Sequence, residues 1–196
     1  MTTASQSVDV APAKPSTTAR GLTALIWVVF LASLGLAGVK AWYGLTPEWD
    51  PLFRIDGLSA IMISVVSLIA GIVMSYSLRY MAGNRKLTSF FVKIAGFAVT
   101  VMLLVSTNHL VVFGALWAAM GWIMGRLIGH EREWPQARAA GWLSFQYFLA
   151  SSLFLLVALL LLYVQTGAVT IQEAVSRIGT LDPLAAFVVV TGLVVA

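Results

Sequence analysis

Apolar residues fill the chain in long unbroken runs, separated by short stretches of charge, proline and glycine. About 20 residues at 1.5 Å each cross the hydrocarbon core of a bilayer, so each long run predicts one membrane-spanning helix. The first covers Leu22 to Val39 and the second Gly57 to Leu78. Asp56 opens the second, where a carboxylate suits the free N–H groups of a first helical turn. From Ser89 to Ile128 hydrophobicity is nearly continuous, broken at Ser106-Thr107-Asn108-His109. That break divides the stretch into a third helix ending near Val105 and a fourth from Leu110 to Ile128. The fifth runs from Ala139 to Val164. Thr170, with Glu173 three residues on, is a capping box and predicts a short interfacial helix to about Ile178. The last run, Leu184 to Ala196, has 13 residues, too few to span, and reads as a sixth helix cut within its length.

Strand-like alternation is absent, so the predicted fold class is all-α: a polytopic transmembrane helix bundle, not a barrel. Residues 1–20, rich in Ser, Thr, Ala and Pro, read as a disordered tail ahead of a transmembrane domain over residues 21–196. A signal peptide is the rival reading. Leu22 to Val39 is long for one, and Lys40-Ala41-Trp42-Tyr43 lacks a small-x-small cleavage site. Lys40 to Ile55 reads as a loop whose Trp and Tyr residues suit the headgroup layer.

Composition sharpens this picture. Hydrophobic residues make up 60% of the chain, charged residues 10%, and mean hydropathy is +0.92. A soluble domain is nearer a quarter charged, so the solvent for most of this surface is lipid. The cations sort by side. With the N-terminus inside, Lys14, Arg20, Arg79, Arg85, Lys86, Arg126, Arg132 and Arg138 lie inside, and Lys40, Arg54 and Arg177 outside. Eight against three predicts a cytoplasmic N-terminus by the positive-inside rule. There are no cysteines, which excludes disulfides and thiolate metal sites within the chain. No nucleotide-binding loop, zinc-ligand cluster or Ser-His-Asp arrangement is present, so no catalytic or metal residue and no nucleic-acid partner is indicated.

Ionisable groups at membrane depth are the residues that could pass an ion. Lys93, about five residues into the third helix, is the clearest ion-path candidate, although a lysine that near an end also snorkels. His109, ahead of the fourth helix, is the second, because histidine titrates near neutral pH. Arg126 reads as an interface anchor at the C-terminal end of the fourth helix. Gly114, Ala118, Gly121 and Gly125 share one face of that helix and predict close packing against a neighbour. His130 falls on the face opposite His109, and Glu131 and Glu133 read as a solvated loop.

The string Asp56-Gly57-Leu58-Ser59, closed by Tyr80-Met81-Ala82-Gly83, resembles a helix of the antiporter-like membrane subunits. That superfamily includes subunit 5 (L) of NADH:quinone oxidoreductase, the Mrp antiporter subunits and the DabB subunits of inorganic-carbon uptake complexes. The resemblance runs from about Asp56 to Ile178 and is strongest to the DabB branch. One helix precedes the signature, and the loop His130 to Ala140 is similar to that branch's Ala-rich link. The resemblance implies a multi-pass protein of a bacterial inner membrane, with lipid around it and no cofactor of its own. It further implies a large zinc-binding, carbonic-anhydrase-like partner of the DabA type and coupling to a proton or sodium gradient. The respiratory branch carries a Trp-Glu-Gly motif in the fourth helix. Here Trp117 is followed by Ala118, and Leu149, Ser151 and Ser152 occupy the region of the next charged motif. A respiratory or Mrp-type proton-translocating subunit, and a non-conducting membrane scaffold, are the competing expectations.

Overall fold

The computed structural model describes residues 16–43, 52–82, 86–131 and 133–195. Most of the tail, and residues 44–51 of the first loop with Trp49, lie outside them. Five helices are long and apolar enough to cross a membrane: α1 (Thr17–Tyr43), α2 (Gly57–Tyr80), α3 (Leu87–Ser106), α4 (Leu110–Ile128) and α5 (Pro135–Thr166). A short α6 (Ile171–Ser176), a 3₁₀ turn and α7 (Pro183–Val195) follow. Among the described residues no strand forms, only two isolated backbone bridges.

Two helices are longer than the apolar pattern predicts. α1 starts at Thr17, within the segment read as tail, where the Ser16 hydroxyl accepts from the Ala19 N–H at 3.2 Å. It continues to Tyr43, so Lys40 lies in its last turn rather than in a loop. Lys40 is 8% exposed and donates to the Ile55 carbonyl. α5 begins at Pro135, because proline lacks an N–H and its fixed φ suits a first helical turn. It ends at Gly167, whose φ of 63° favours glycine, with its N–H returned to the Tyr163 carbonyl at 2.8 Å. At 32 residues α5 is about 48 Å long, more than a hydrocarbon core needs.

The helices follow one another through the bundle. α1 packs on α2 and α3, α3 on α4, α4 on α5, and α5 on α7. The packed face of α2 is inside-out relative to a soluble protein. α2 buries Ser59, Ser64, Ser67, Ala70 and Gly71, while Leu58, Ile61, Val65, Ile69 and Ile72 are exposed. Lipid tails are as apolar as leucine, so small residues and interhelical hydrogen bonds hold such helices together. The Ser64 and Ser33 hydroxyls meet at 3.0 Å. The Trp27 indole lies over Gly71 and donates to Ser75 at 3.0 Å.

Candidate functional site

The alternating helices place two sets of turns at opposite ends of the bundle. The first face holds the start of α1, where Thr88 donates to Ser16 at 3.1 Å, and the α2–α3 and α4–α5 turns. The second face holds the α1–α2 link, the α3–α4 turn and α6.

On the second face Asp56 caps α2. Its carboxylate accepts from the Ser59 N–H at 2.7 Å. That hydrogen bond holds the carboxyl below its ordinary value of 3.8. The residues of the α3–α4 break form a backbone hub that the apolar pattern does not reveal. Leu52 accepts from the Asn108 N–H at 2.9 Å and Ser106 from the Arg54 N–H at 2.7 Å. On the hub's other side, Leu110 donates to Val169 at 3.0 Å and Ile171 to Asn108 at 2.7 Å. The Asn108 side chain accepts from the Gln172 N–H at 3.3 Å, and the Arg54 guanidinium reaches Gln172. Thr170 caps α6 by accepting from the Glu173 N–H at 3.3 Å. His109 sits in this hub, bridged to Thr170 through the backbone, with its Nδ1 buried and without a protein partner among the described residues.

The first face gathers the ionisable side chains. Lys93 Nζ lies 2.9 Å from His130 Nδ1 and 3.4 Å from the Arg126 carbonyl. An ammonium only donates, so His130 accepts at Nδ1 and is neutral there, with its proton on Nε2. Burial first, then the Lys93 charge, push the His130 pKa below 6.5. The ring packs on Phe90 with centroids 5.4 Å apart. Beside it, Lys86 pairs with Glu131 at 2.6 Å and Glu133 at 2.9 Å. These hydrogen bonds, that to Glu131 first, raise the Lys86 pKa, and the Lys86 bond lowers that of Glu131. With His130 neutral and Lys93 an ammonium, the pair carries one positive charge. Thirty-seven residues separate the two, too far for any local spacing signal to join them.

The two ion-path candidates are therefore not brought together: Lys93 is near the first face and His109 at the second. Among the described residues, the central turns of the five spans carry no Asp, Glu, Lys, Arg or His. Arg126, in the last turn of α4, lies over the Trp122 ring at 4.5 Å. The small residues of α4 divide. Gly121 lies under Phe148, Gly125 under Phe145 and Gly141, and Gly114 under Leu159. Ala118 is exposed, which corrects its assignment to the packed stripe. At 100° per residue it falls about 40° from Gly114, at the rim of that stripe. Gly129 completes the contact by meeting Gly141.

The bundle is that of a multi-pass membrane protein, and sequence comparison supplies its family. The family described as "NADH-Ubiquinone oxidoreductase (complex I), chain 5 N-terminus" matches residues 48–91, and "NADH:quinone oxidoreductase/Mrp antiporter, TM" matches residues 107–196. The chain belongs to this superfamily. Over 154 residues it is 34% identical to the probable inorganic carbon transporter subunit DabB1 of Halothiobacillus neapolitanus, covering 78% of this chain and 27% of that protein. Over 121 residues it is 30% identical to NADH-quinone oxidoreductase subunit L of Escherichia coli, covering 62% and 20% respectively. A subunit in the structure of the Mrp complex from Dietzia sp. DQ12-45-1b shares the fold, with a TM-score of 0.67 and 24% identity. That match covers 91% of this chain and 21% of the other. The chain thus spans about a quarter of the length of these relatives.

Proposed function

We propose that this chain is part of the membrane subunit of an inorganic-carbon uptake complex, in which proton or sodium movement is coupled to a zinc-bearing, carbonic-anhydrase-like partner. The observation that carries this reading is the 34% identity to the carbon transporter subunit over 78% of the chain. In this reading the first face looks into the bacterial cytoplasm, in keeping with its excess of Lys and Arg. The Lys93–His130 pair then takes up or releases a proton at that face, because it holds one exchangeable charge at the base of a span.

A proton-translocating role in a quinone oxidoreductase or Mrp complex is the second reading, favoured by the family descriptions. Exposed, apolar Ala118 argues against a respiratory-type relay through this part of the molecule. The uncharged middle of the spans favours a third, a membrane scaffold.

Purification of the full-length protein in mild detergent, with mass spectrometry and metal analysis of what accompanies it, decides between them. A large zinc-bearing soluble partner is expected; quinone-oxidoreductase or Mrp subunits would overturn the carbon-uptake reading. With that partner present, Lys93→Ala is expected to reduce gradient-dependent carbon uptake. Unchanged uptake at normal expression removes Lys93 from the path.

A further inference from the structure

Between the first-face ends of α3, α4 and α5 lies an open cleft of about 380 Å³. Three cationic side chains line it: Lys93 from α3, Arg126 from α4 and Arg138 from α5. Its other walls include Trp122, Trp142 and Phe145. A second groove, of about 580 Å³, shares Lys93, Trp122 and Arg126 with the cleft and continues between α3 and α4 past Val92, Gly96 and Ile123. No atom lies within 4 Å of where a Cβ on Gly96 would stand, so the groove is open along that glycine.

No carboxylate lines either space. The nearby acids Glu131 and Glu133 are both engaged by Lys86. Among the described residues, Arg126 and Arg138 have no carboxylate within salt-bridge distance. Three like charges converging on a cleft repel one another, and an anion placed there relieves that repulsion. Trp122 and Trp142 are both more than half exposed, as tryptophans are at headgroup depth.

We infer that the cleft and groove together bind one anionic phospholipid, with its phosphodiester between Arg126, Arg138 and Lys93 and an acyl chain along the α3–α4 groove. Guanidinium groups suit phosphate oxygens because their planar N–H forks match that geometry. A soluble phosphate would satisfy the cations but leave the apolar groove unfilled, so the shape selects the lipid. The site brings the lipid to Lys93, which also touches His130, and so joins membrane composition to the proton-sharing pair. The inference does not depend on which complex the subunit serves.

The test is native mass spectrometry of the full-length protein, delipidated in mild detergent and titrated with phosphatidylglycerol or phosphatidylcholine. Phosphatidylglycerol is expected to bind with at least tenfold preference. At roughly fivefold per cation near a membrane surface, Arg126→Gln with Arg138→Gln should weaken it about 25-fold. Arg79→Gln removes an exposed cation of the same face outside the cleft and should leave binding within twofold. Independently of any variant, a photoactivatable phosphatidylglycerol is expected to label peptides of α3 around Val92 to Gly96 or those containing Trp122 to Trp142. Equal binding of the two lipids, retention by the double variant, displacement by inorganic phosphate, or labelling confined to other helices would each overturn the assignment.

Discussion

Gly141→Ala adds one methyl group at the tightest point between α4 and α5. An ideal Cβ there lies 2.8 Å from Gly129 Cα, 2.8 Å from Gly129 N and 3.0 Å from Gly125 O. All three are backbone atoms, so no side chain can rotate aside. Carbon atoms rest at about 3.5–4.0 Å, so the helices must part by about 1 Å along this contact. Overpacking of that kind costs about 1–3 kcal/mol. Alanine is also the better helix former by about 0.8–1 kcal/mol, which offsets part of the loss. Gly35→Ala, in α1, isolates the contact: it makes the same chemical change where nothing lies within 4 Å. The difference between the two variants should therefore be about 1–3 kcal/mol, with Gly141→Ala the less stable. Unfolding of the purified protein in mixed micelles with increasing sodium dodecyl sulfate measures it. If Gly141→Ala is as stable as Gly35→Ala, α4 and α5 do not meet through their glycines and the packing argument is wrong.

Three further outcomes follow from the two faces. Asp56→Ala should lose about 1 kcal/mol in the same unfolding assay, because the N-cap hydrogen bond to Ser59 goes. Since the folded carboxyl is held below 3.8, its contribution is full above that value and disappears as pH falls through the lower folded pKa; a variant with unchanged acid stability would contradict the cap. Lys93→Gln should raise the His130 pKa part of the way back toward 6.5, burial remaining, as read by imidazole NMR titration. The depressed value means that the neutral ring stabilises the fold above pH 6.5 and that this is lost as pH falls; the variant should flatten that slope, and an unmoved titration would dissolve the pair. Asn108→Ala should speed hydrogen exchange across residues 169–177 while sparing α1, since only the bond to the Gln172 N–H is deleted; uniform protection would show that the side chain does not tie α6.

The spanning helices were legible because lipid imposes one rule, length of apolar run, on each of them. Capping chemistry also read directly: Asp56 and Thr170 each accept the predicted backbone N–H. Helix ends read less well where polar residues continue the helix into the interface, as at Thr17, Lys40 and Pro135. The Lys93–His130 pair and the Asn108 hub were not legible, because residues far apart in sequence make them and neither has a periodic signal. Ala118 misled because residue spacing gives an angle around one helix and not the position of the neighbour.

The hub around Asn108 has a bearing on how the protein is made. Asn108 and Gln172 are 64 residues apart, and chain synthesis at about 5–20 residues per second puts on the order of 3–13 s between them. During that interval the α3–α4 turn is exposed at the second face while its Leu110 N–H and Asn108 carbonyl lack their later partners. Both groups lie at the end of the bundle, between the apolar spans α3 and α4, where water can hold them until the α6 segment arrives. A turn buried at the bilayer centre would have no such substitute. The hub thus joins a turn that is synthesised early to a segment that emerges only after the fifth span, so its last hydrogen bonds cannot form before α5 has been made.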